Sequence, residues 1–248
     1  MTALTLRLAG PMQAWGSSSR FVRRTTDPQP TKSGILGLLA AALGRRRTDT
    51  IEDLLDLQFG VRIDQPGELI RDFQTARSLD GQRSMPLSYR YYLADAVFLA
   101  VVEGEDELVR SVEHALRHPT FPLYLGRRSC PPAGPLVVGL SDDGLWDVLR
   151  TRPSVASTTR RAHASAPVRL EVLLDAAVAP EAIRRGGDVV TVRDVPICFD
   201  PELRQYGWRE IVRTWVQLDE PGAGTGAGHG PSAATGQVGH DAMAILGG

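Results

Sequence analysis

The chain contains the sequence Pro30-Thr31-Lys32-Ser33-Gly34-Ile35-Leu36-Gly37, where a basic loop gives way to an apolar run that ends at Gly44. Before the loop, the alternation of Leu4, Leu6 and Leu8 predicts a short strand, and the apolar run after it predicts a helix. The first N–H groups of a helix have no partner inside it, and the helix dipole adds partial positive charge. A strand that leads through a loop into a helix N-terminus therefore favours an anion site.

The N-terminal part of the chain is strongly basic, although the whole chain is almost neutral. Residues 1–47 hold eight basic residues and one acidic residue, a local net charge of +7, whereas all 248 residues together carry −1. Such an asymmetry indicates a positive patch on the folded surface. We therefore expect a polyanionic ligand at this end of the chain.

Composition narrows the class of protein. A hydrophobic content of 42% and a charged content of 23% are typical of a globular protein. Two cysteines, Cys130 and Cys198, make neither a disulfide framework nor a zinc ribbon, which favours a reducing, cytoplasmic location. The sequence shows no signal peptide, and its longest apolar stretch, residues 35–43, is too short to cross a bilayer, so we expect no membrane partner.

The order of predicted elements indicates an α+β fold. Strand patterns at residues 58–63, 69–77, 88–93 and 96–102 follow the first helix, and residues 105–118 predict a second helix. A closing strand within residues 123–140 would complete a β-α-β-β-α-β order, which is the ferredoxin-like pattern shared by RNA-recognition motifs. Residues 69–93 would then form an extended β-hairpin with its tip near 78–87.

The remainder of the chain predicts a smaller C-terminal β-rich portion. Residues 144–165 read as loop-rich, and strands are expected at 168–174, 188–199 and 208–218. These strands form either a second small unit or an extension of the first sheet. We set the divisions at 1–140, 141–220 and 221–248.

The last of these divisions, residues 221–248, is dominated by Gly, Ala, Ser and Pro and predicts a disordered tail.

Two short motifs near the first helix allow both a binding and a structural interpretation. Lys32 and Ser33 suit either an anion contact or a plain helix cap with a solvated lysine. Trp15, with Gln13 beside it, would either stack on a nucleobase or cover the edge of the core. Residues 34–37 match the GXXG of a KH domain, but their apolar middle favours close helix packing instead.

A second basic motif reads Tyr124-Leu125-Gly126-Arg127-Arg128-Ser129-Cys130-Pro131-Pro132. A glycine before paired arginines, followed by prolines, presents guanidinium groups on a rigid turn. Guanidinium groups suit phosphate contacts, and Tyr124 is available to stack on a base. The alternative is an exposed basic loop that faces an acidic partner protein.

The sequence predicts no metal site, no cofactor and no catalytic residue. His114 and His118 have a spacing that could hold a metal, but Ala115 stands where a zinc protease needs its glutamate, and no third ligand is apparent. Histidines in the last turn of a helix favour a role in complementing its dipole. Cys130 has no histidine near it in sequence that would activate it as a nucleophile.

Three stretches together, residues 6–16, 30–39 and 124–131, resemble the Cas-five family of the RAMP superfamily, whose members are subunits of CRISPR Cascade complexes. The resemblance is closest to the type I-E members and keeps the same order and similar spacing to about residue 218. It implies a ferredoxin-like (RRM-like) RAMP domain with a hairpin called the thumb and a smaller C-terminal β portion. The tail has no counterpart in the family.

The resemblance also implies a function. It implies a non-catalytic CRISPR RNA-binding subunit that caps the 5′ handle of the crRNA in antiviral defence. The implied protein partners are the Cascade backbone subunit and the large, PAM-reading subunit, with target DNA reached through the complex. The residues that we expect to contact RNA are Gln13, Trp15, Lys32, Ser33, Tyr124, Gly126, Arg127 and Arg128, with Arg77 and Arg90 beside the hairpin.

Two alternatives remain open. Some related Cas-five proteins cut the CRISPR precursor, so the chain could be a metal-independent endoribonuclease; such enzymes use Tyr, His and Lys, whereas here Lys32 is the only lysine and no histidine precedes His114. The other alternative is a protein-assembly module whose basic patch meets an acidic partner.

Overall fold

The computed structural model describes residues 1–16, 23–163, 167–199 and 205–219. Arg20 of the basic segment and the predicted tail lie outside these ranges. The described strands are β1 (Thr2–Ala9), β2 (Met12–Gln13), β3 (Arg23–Arg24), β4 (Gln58–Gln65), β5 (Glu68–Gln74), β6 (Ser88–Ala94), β7 (Val97–Gly104), β8 (Val137–Ser141), β9 (Val168–Asp175), β10 (Asp188–Cys198) and β11 (Gln205–Leu218). The described helices are α1 (Lys32–Ala42), α2 (Glu52–Leu55), α3 (Asp106–Arg117), α4 (Leu145–Thr151), α5 (Thr158–His163) and α6 (Glu181–Gly186).

Seven strands form one antiparallel sheet in the order β10-β11-β9-β4-β7-β1-β8. Strand β7 lies inside the sheet and is buried at all but one of its positions. Its almost continuous apolar sequence follows from this position, because strands covered on both faces lose the usual alternation of apolar and polar residues.

Both faces of the sheet are covered by helices. Leu4, Leu6 and Leu8 project into the larger core with the apolar residues of α1 and α3. Leu99 and Val101 project into a second core on the opposite face, where α4 packs. The fold is therefore a mixed α+β structure built on a single antiparallel sheet.

The C-terminal strands extend the first sheet. Strand β9 pairs with β4 from Gly60↔Leu174 to Ile63↔Glu171, and β11 and β10 follow at the edge. The sequence left open whether these strands form a second small unit or extend the first sheet, and the structure shows that they extend it.

One sequence prediction of local structure needs correction. Residues 144–165 are not simply loop, since they contain α4 and α5, and α6 follows between β9 and β10. Helix α4 has seven residues and buries Leu145, Val148 and Leu149 on the sheet, so its apolar period is too short to be distinguished in sequence. The closing strand, which was expected within residues 123–140, is Val137–Ser141, at the end of that region, and residues 123–136 are irregular.

Strands β5 and β6 form an antiparallel hairpin between β4 and β7. The pairing runs from Glu68↔Ala94 to Gln74↔Ser88, which agrees with the hairpin predicted for residues 69–93. Strands β2 and β3 pair with β6 in a second, smaller sheet. Most of β5 is exposed, so much of the hairpin surface is open.

Candidate nucleic-acid interface

The N-terminus of α1 is satisfied by groups of the chain itself. The Thr31 hydroxyl accepts a hydrogen bond from the Gly34 N–H at 3.2 Å, and a carboxylate oxygen of Asp194 accepts one from the Lys32 N–H at 2.8 Å. The Lys32 ammonium group lies 3.1 Å from an oxygen of Asp175, and the residue is only 6% exposed. The positive end of this helix therefore already holds an anion, which is an aspartate of β10.

Lys32 belongs to a buried charge cluster, which consists of Lys32, Asp175, Asp194 and Arg209. Arg209 donates to Asp194 at 2.6 and 2.8 Å and also to Asp175. The Phe59 N–H donates to Asp175 at 2.8 Å. Burial alone would lower the pKa of Arg209, but the hydrogen bonds and charges of Asp194 and Asp175 hold that pKa above its ordinary value. Two positive and two negative groups thus neutralise one another inside the protein.

The expectation for Lys32 and Ser33 is corrected by this geometry. Thr31 caps the helix, and the Ser33 hydroxyl lies 3.3 Å from that of Thr31 in a residue that is 7% exposed. Neither a solvated lysine nor an open anion site is present, because the side chains that the sequence predicted to face a ligand face the protein interior.

Gln13 and Trp15 are likewise core residues, at 0% and 1% exposure. The Gln13 amide donates to the carbonyl oxygens of Leu8 at 3.1 Å and Ala96 at 2.7 Å, and it accepts from the Trp15 indole N–H at 3.0 Å. Trp15 therefore has no open face for a base, and the core-edge interpretation is the correct one.

Gly34 explains the apparent GXXG motif. A Cβ atom on Gly34 would lie 2.8 Å from the Trp15 ring, so the glycine allows α1 to pack closely on that ring. The packing interpretation of this glycine is supported.

The Arg127 turn (residues 126–130) is closed by backbone hydrogen bonds and packs tightly on Ala14. Gly126 has φ +89°, and a Cβ atom there would overlap the carbonyl oxygen of Ala14. The Leu125 N–H donates to the Cys130 carbonyl at 2.7 Å, and the Cys130 N–H donates to the Arg127 carbonyl at 2.9 Å. Gly126 serves the geometry of the turn, because only glycine fits a positive φ against a neighbouring backbone.

Arg127 binds the protein's own backbone. Its guanidinium group donates to the carbonyl oxygens of Tyr91 at 3.0 Å, Arg24 at 2.9 Å and Thr25 at 3.1 Å, and it lies 4.9 Å from the centre of the Tyr92 ring. Arg127 therefore connects the turn to β3 and β6. Sequence alone could not show that backbone carbonyl groups accept the hydrogen bonds of its guanidinium group.

Of the arginines predicted to contact RNA, Arg128 and Arg77 are exposed to solvent. Arg128 is exposed and makes no hydrogen bond or ion pair with any described residue. Arg77 is exposed at the hairpin tip, where its backbone bridges Ser84. Tyr124 is half-buried on the approach to the Arg127 turn.

Arg90 is also half-buried, and within the described ranges its Nε atom is buried without a hydrogen-bond partner. From the sequence, Arg23 and Arg24 contributed only to the positive charge of residues 1–47 and were not expected to form a site. Both are exposed on β3, which pairs with β6 so that Arg23 lies beside Tyr89 and Arg24 beside Arg90. The paired arginines were visible in sequence, but their position beside β6 was not.

The other candidate sites are a metal centre, the histidines and Cys130. In the described part of the chain, no group of three or more His, Cys, Asp or Glu residues could hold a metal ion. His114 and His118 are exposed, with ring centres 5.0 Å apart, and His163 lies on α5 rather than in a loop. Burial raises the pKa of the Cys130 thiol. Across the described ranges, no helix has the length and apolarity needed to cross a bilayer.

Comparison with known proteins agrees with this architecture. The chain is 39% identical over 160 residues to the CRISPR system Cascade subunit CasD of Escherichia coli (strain K12), which covers 55% of this chain and 70% of that protein. A crystal structure of a Cas protein matches at a TM-score of 0.67 and 33% identity, covering 89% of this chain and 100% of the other. A chain of a CRISPR RNA-guided surveillance complex matches at a TM-score of 0.69 and 31% identity, covering 88% and 91%.

The family described as CRISPR-associated protein (Cas_Cas5) matches residues 3–212, which include the strands of the main sheet apart from the first residue of β1 and the end of β11. The matched region contains the buried charge cluster, the hairpin and the Arg127 turn. The chain belongs to the Cas5 family of CRISPR-associated proteins.

Proposed function

We propose that the chain is a non-catalytic CRISPR RNA-binding subunit of a type I-E Cascade complex that caps the 5′ handle of the crRNA. In this proposal it contacts the backbone and large subunits, meets target DNA through the complex, and acts in the cytoplasm in antiviral defence. Support comes from the 39% identity to a Cascade subunit and from the similarity to a chain of an RNA-guided surveillance complex.

We interpret the central part of the sheet as the ferredoxin-like RAMP unit. The elements β1-α1-β4-β7-α3-β8 follow one another in the chain, apart from the short elements β2, β3 and α2 and the β5–β6 hairpin, and their strands lie in the antiparallel order β8-β1-β7-β4. This is the β-α-β-β-α-β arrangement that RNA-recognition motifs share. The β5–β6 hairpin, inserted between β4 and β7, corresponds to the thumb.

The observation that carries the RNA-binding proposal is the contact of Arg127 with β3 and β6. By binding the backbone of Arg24 and Tyr91, Arg127 brings the turn, β3 and the base of the hairpin together. Arg128, Arg23 and Arg24 are therefore exposed in one region of the surface. A cluster of exposed guanidinium groups suits the phosphates of a nucleic acid, because each group can donate two parallel hydrogen bonds.

The geometry of Lys32 supports a non-catalytic role over the endoribonuclease alternative. The only lysine of the sequence is buried against Asp175, so its amine is held away from any surface-bound RNA. The described histidines lie in α3, at its C-cap and in α5. Cutting RNA by its own 2′-OH requires a base and groups that stabilise the developing charge, and Lys32 offers neither in this position.

The test is binding and cleavage of labelled repeat RNA by the reconstituted complex without metal ions, over a salt series. The change is Arg128→Ala, and the matched control is Arg110→Ala on an exposed position of α3. We expect Arg128→Ala to weaken binding several-fold and to lower the salt slope by about one, because one phosphate contact is lost. The RNA should remain intact.

Three results would contradict the proposal. Equal affinity and equal salt slope for the two variants would remove the RNA role of the turn. Site-specific cutting by the wild-type chain would favour the endoribonuclease alternative. Loss of a partner subunit with unchanged RNA affinity would favour the protein-assembly alternative.

A further inference from the structure

An open pocket lies beside the C-terminal end of β1. It is lined by Arg7 of β1, by residues 154–158 and by Arg161 of α5, and we call it the Arg7 pocket. Its volume is about 510 Å³. Pockets that hold small ligands or parts of larger ones measure about 300 to 1,000 Å³, so this pocket has room for a ligand group.

The Arg7 pocket and the Arg127 turn are on opposite faces of the main sheet. Side chains of a strand alternate between its faces, and Leu6 and Leu8 project into the larger core with α1 and α3, so Arg7 projects to the α4 face. Leu125 and Cys130, beside and within the Arg127 turn, belong to the larger core. A ligand in the Arg7 pocket is therefore separate from one at the turn.

Hydrogen bonds to the sheet hold the wall of the pocket in place. The Arg7 Nε–H donates to the Val155 carbonyl oxygen at 3.0 Å, and a carboxylate oxygen of Asp64 accepts from the Val155 N–H at 2.6 Å. The Ser157 hydroxyl donates to the side-chain oxygen of Gln65 at 3.0 Å. Contacts within the chain thus form the pocket before any ligand enters, which lowers the cost of binding.

Hydrogen-bond donors converge on the pocket. Arg7 uses its Nε–H for Val155, and its other N–H groups make no hydrogen bond or ion pair with any described residue. The Ser154 hydroxyl accepts from the Ala156 N–H at 3.3 Å, which leaves its own proton to donate. Thr158 is exposed at the rim, and the half-buried Arg161 adds a second guanidinium group to the lining.

The charge around the pocket is positive. Within the described ranges, no aspartate or glutamate lines it. Residues 148–163 contain four arginines and no acidic residue, and one of them, Arg152, lies beside Gly139 of β8, the strand next to β1. The carboxylate of Asp64 is fully buried and paired with Arg62. The electrostatic potential in the pocket therefore favours an anion.

The arrangement of donors favours phosphate over carboxylate. One guanidinium fork matches the two coplanar oxygens of a carboxylate. In this pocket, guanidinium and hydroxyl donors come from a strand on one side and from the segment that leads into α5 on the other. Tetrahedral phosphate oxygens point in several directions, so a single phosphate group can accept from both sides.

We propose that the Arg7 pocket binds a phosphate group. Arg7 and Arg161 donate to its oxygens, and the hydroxyls of Ser154 and Thr158 complete the site. The same chemistry is offered by the backbone of a nucleic-acid strand and by free phosphate. The inference goes beyond the proposed function, because it concerns the face of the sheet that does not carry the Arg127 turn and holds whether or not that turn binds RNA.

The test compares the full-length wild-type chain with Arg161→Ala and with the control Arg160→Ala. Arg160 is exposed on the same helix and does not line the pocket, so both variants lose the same charge. The first arm follows thermal unfolding in inorganic phosphate and in chloride at equal ionic strength. We expect phosphate to raise the unfolding temperature of the wild type and of Arg160→Ala, because a ligand of the native state stabilises it, and we expect Arg161→Ala to lose this rise.

The second arm identifies the source of the phosphate. It measures the fluorescence anisotropy of a labelled oligothymidylate over a salt series. If the pocket holds a nucleic-acid backbone, Arg161→Ala binds several-fold more weakly with a salt slope lower by about one, whereas Arg160→Ala keeps the wild-type values. If oligonucleotide binding is equal in all three proteins while the first arm shows the loss, the pocket holds free phosphate.

Two results would overturn the inference. One is equal behaviour of all three proteins in both arms. The other is polyglutamate binding that depends on Arg161 while phosphate has no such effect, which would make the pocket a docking site for an acidic protein. Thr158→Val provides a second variant, and circular dichroism shows whether each variant is folded.

The outcome is independent of the Arg128→Ala test of the proposed function. Loss of RNA binding in Arg128→Ala with no effect of Arg161→Ala in either arm leaves the proposed function standing and the pocket wrong. The reverse pattern leaves the pocket standing and removes the RNA role of the Arg127 turn.

Discussion

At the scale of single residues, Gly126 illustrates how one backbone position fixes a binding loop. Its φ is +89°, and a Cβ atom there would overlap the Ala14 carbonyl oxygen. We expect Gly126→Ala to lower the free energy of unfolding by about 3 kcal/mol or more, because a left-handed backbone and a backbone overlap are penalised together. Urea unfolding of the full chain measures the change.

Gly81 and Gly134 are controls that separate the cost of the left-handed backbone from the cost of the overlap. Gly81 has φ +73° with nothing near its Cβ position, so Gly81→Ala should cost only about 1 to 2 kcal/mol. Gly134 has open space and no positive φ, so Gly134→Ala should change stability by about 0.5 kcal/mol or less. Equal stability for all three variants would mean that the Arg127 turn rearranges freely.

Cys130 gives a second prediction at this scale. Burial raises the pKa of its thiol, and the residue is 1% exposed, whereas Cys198 is half-buried. We expect iodoacetamide to label Cys198 first at mildly alkaline pH, and mass spectrometry of the labelled peptides measures both rates. Because the raised pKa favours the protonated folded form, this contribution to stability is complete below the ordinary thiol pKa of about 8.5 and is lost as the pH rises further. Faster labelling of Cys130 would contradict the raised pKa.

Residue types were easier to recognise in sequence than residue partners. The sequence singled out Lys32 and Trp15, and both occupy key positions, but inside the protein. The partners of Lys32, Asp175 and Asp194, are 143 and 162 residues away along the chain, so no local pattern shows them. Arg128 could be placed on the surface from its turn, since prolines and a glycine bound that turn.

At the scale of elements, the buried charge cluster joins α1 to strands β9, β10 and β11. We expect Lys32→Met to lower the free energy of unfolding by about 3 kcal/mol, because it leaves two buried carboxylates, Asp175 and Asp194, with Arg209 as the one cation of the cluster. Urea unfolding followed by circular dichroism measures the loss. RNA binding by the folded fraction should stay close to that of the wild-type protein.

An exposed ion pair provides the control. Arg185 and Glu181 are paired on α6 with side chains that are 79% and 63% exposed, so Arg185→Met should change stability by about 0.5 kcal/mol or less. A stable Lys32→Met variant that no longer binds RNA would contradict the burial of Lys32 and return it to the ligand surface.

Strands were predicted better than short helices. Strands were expected at residues 168–174, 188–199 and 208–218, and the structure has strands at Val168–Asp175, Asp188–Cys198 and Gln205–Leu218. Helix α4 has seven residues, and its formation depends on the sheet face that it covers rather than on its own sequence. Helix α5 has six residues and buries none of them, so its sequence carries no apolar period that would predict it. The pairing of β9 with β4 could not be predicted, because strand order depends on contacts between distant segments.

At the scale of the whole molecule, a second buried ion pair fastens the segment after α4 to the sheet. Arg62 and Asp64 of β4 are both fully buried and bind each other at 2.6 Å. Arg62 also donates to the carbonyl oxygens of Leu149 and Arg152 at 2.7 Å. Asp64 accepts from the Val155 N–H at 2.6 Å. Removing either partner would leave a buried charge, so this contact stabilises one arrangement of the two segments.

The continuous sheet predicts that the N-terminal and C-terminal strands unfold together. Hydrogen exchange of the wild-type chain at increasing denaturant should give residues 97–104 of β7 and 211–218 of β11 the same free energy of opening and the same denaturant dependence. The reason is that β9 pairs with β4 and that the buried charge cluster spans the junction. Amides of the hairpin tip, residues 75–87, should exchange faster because that segment is largely exposed.

The Lys32→Met variant sharpens this test, since Lys32 lies at the junction itself. If the sheet is one cooperative unit, the substitution lowers the free energy of opening of residues 97–104 and 211–218 by the same amount. If only residues 211–218 open more easily, the strands after residue 140 form a separate unit that is merely docked on β4. The same comparison with Arg185→Met, which lies in the C-terminal part but away from the junction, should leave both segments unchanged.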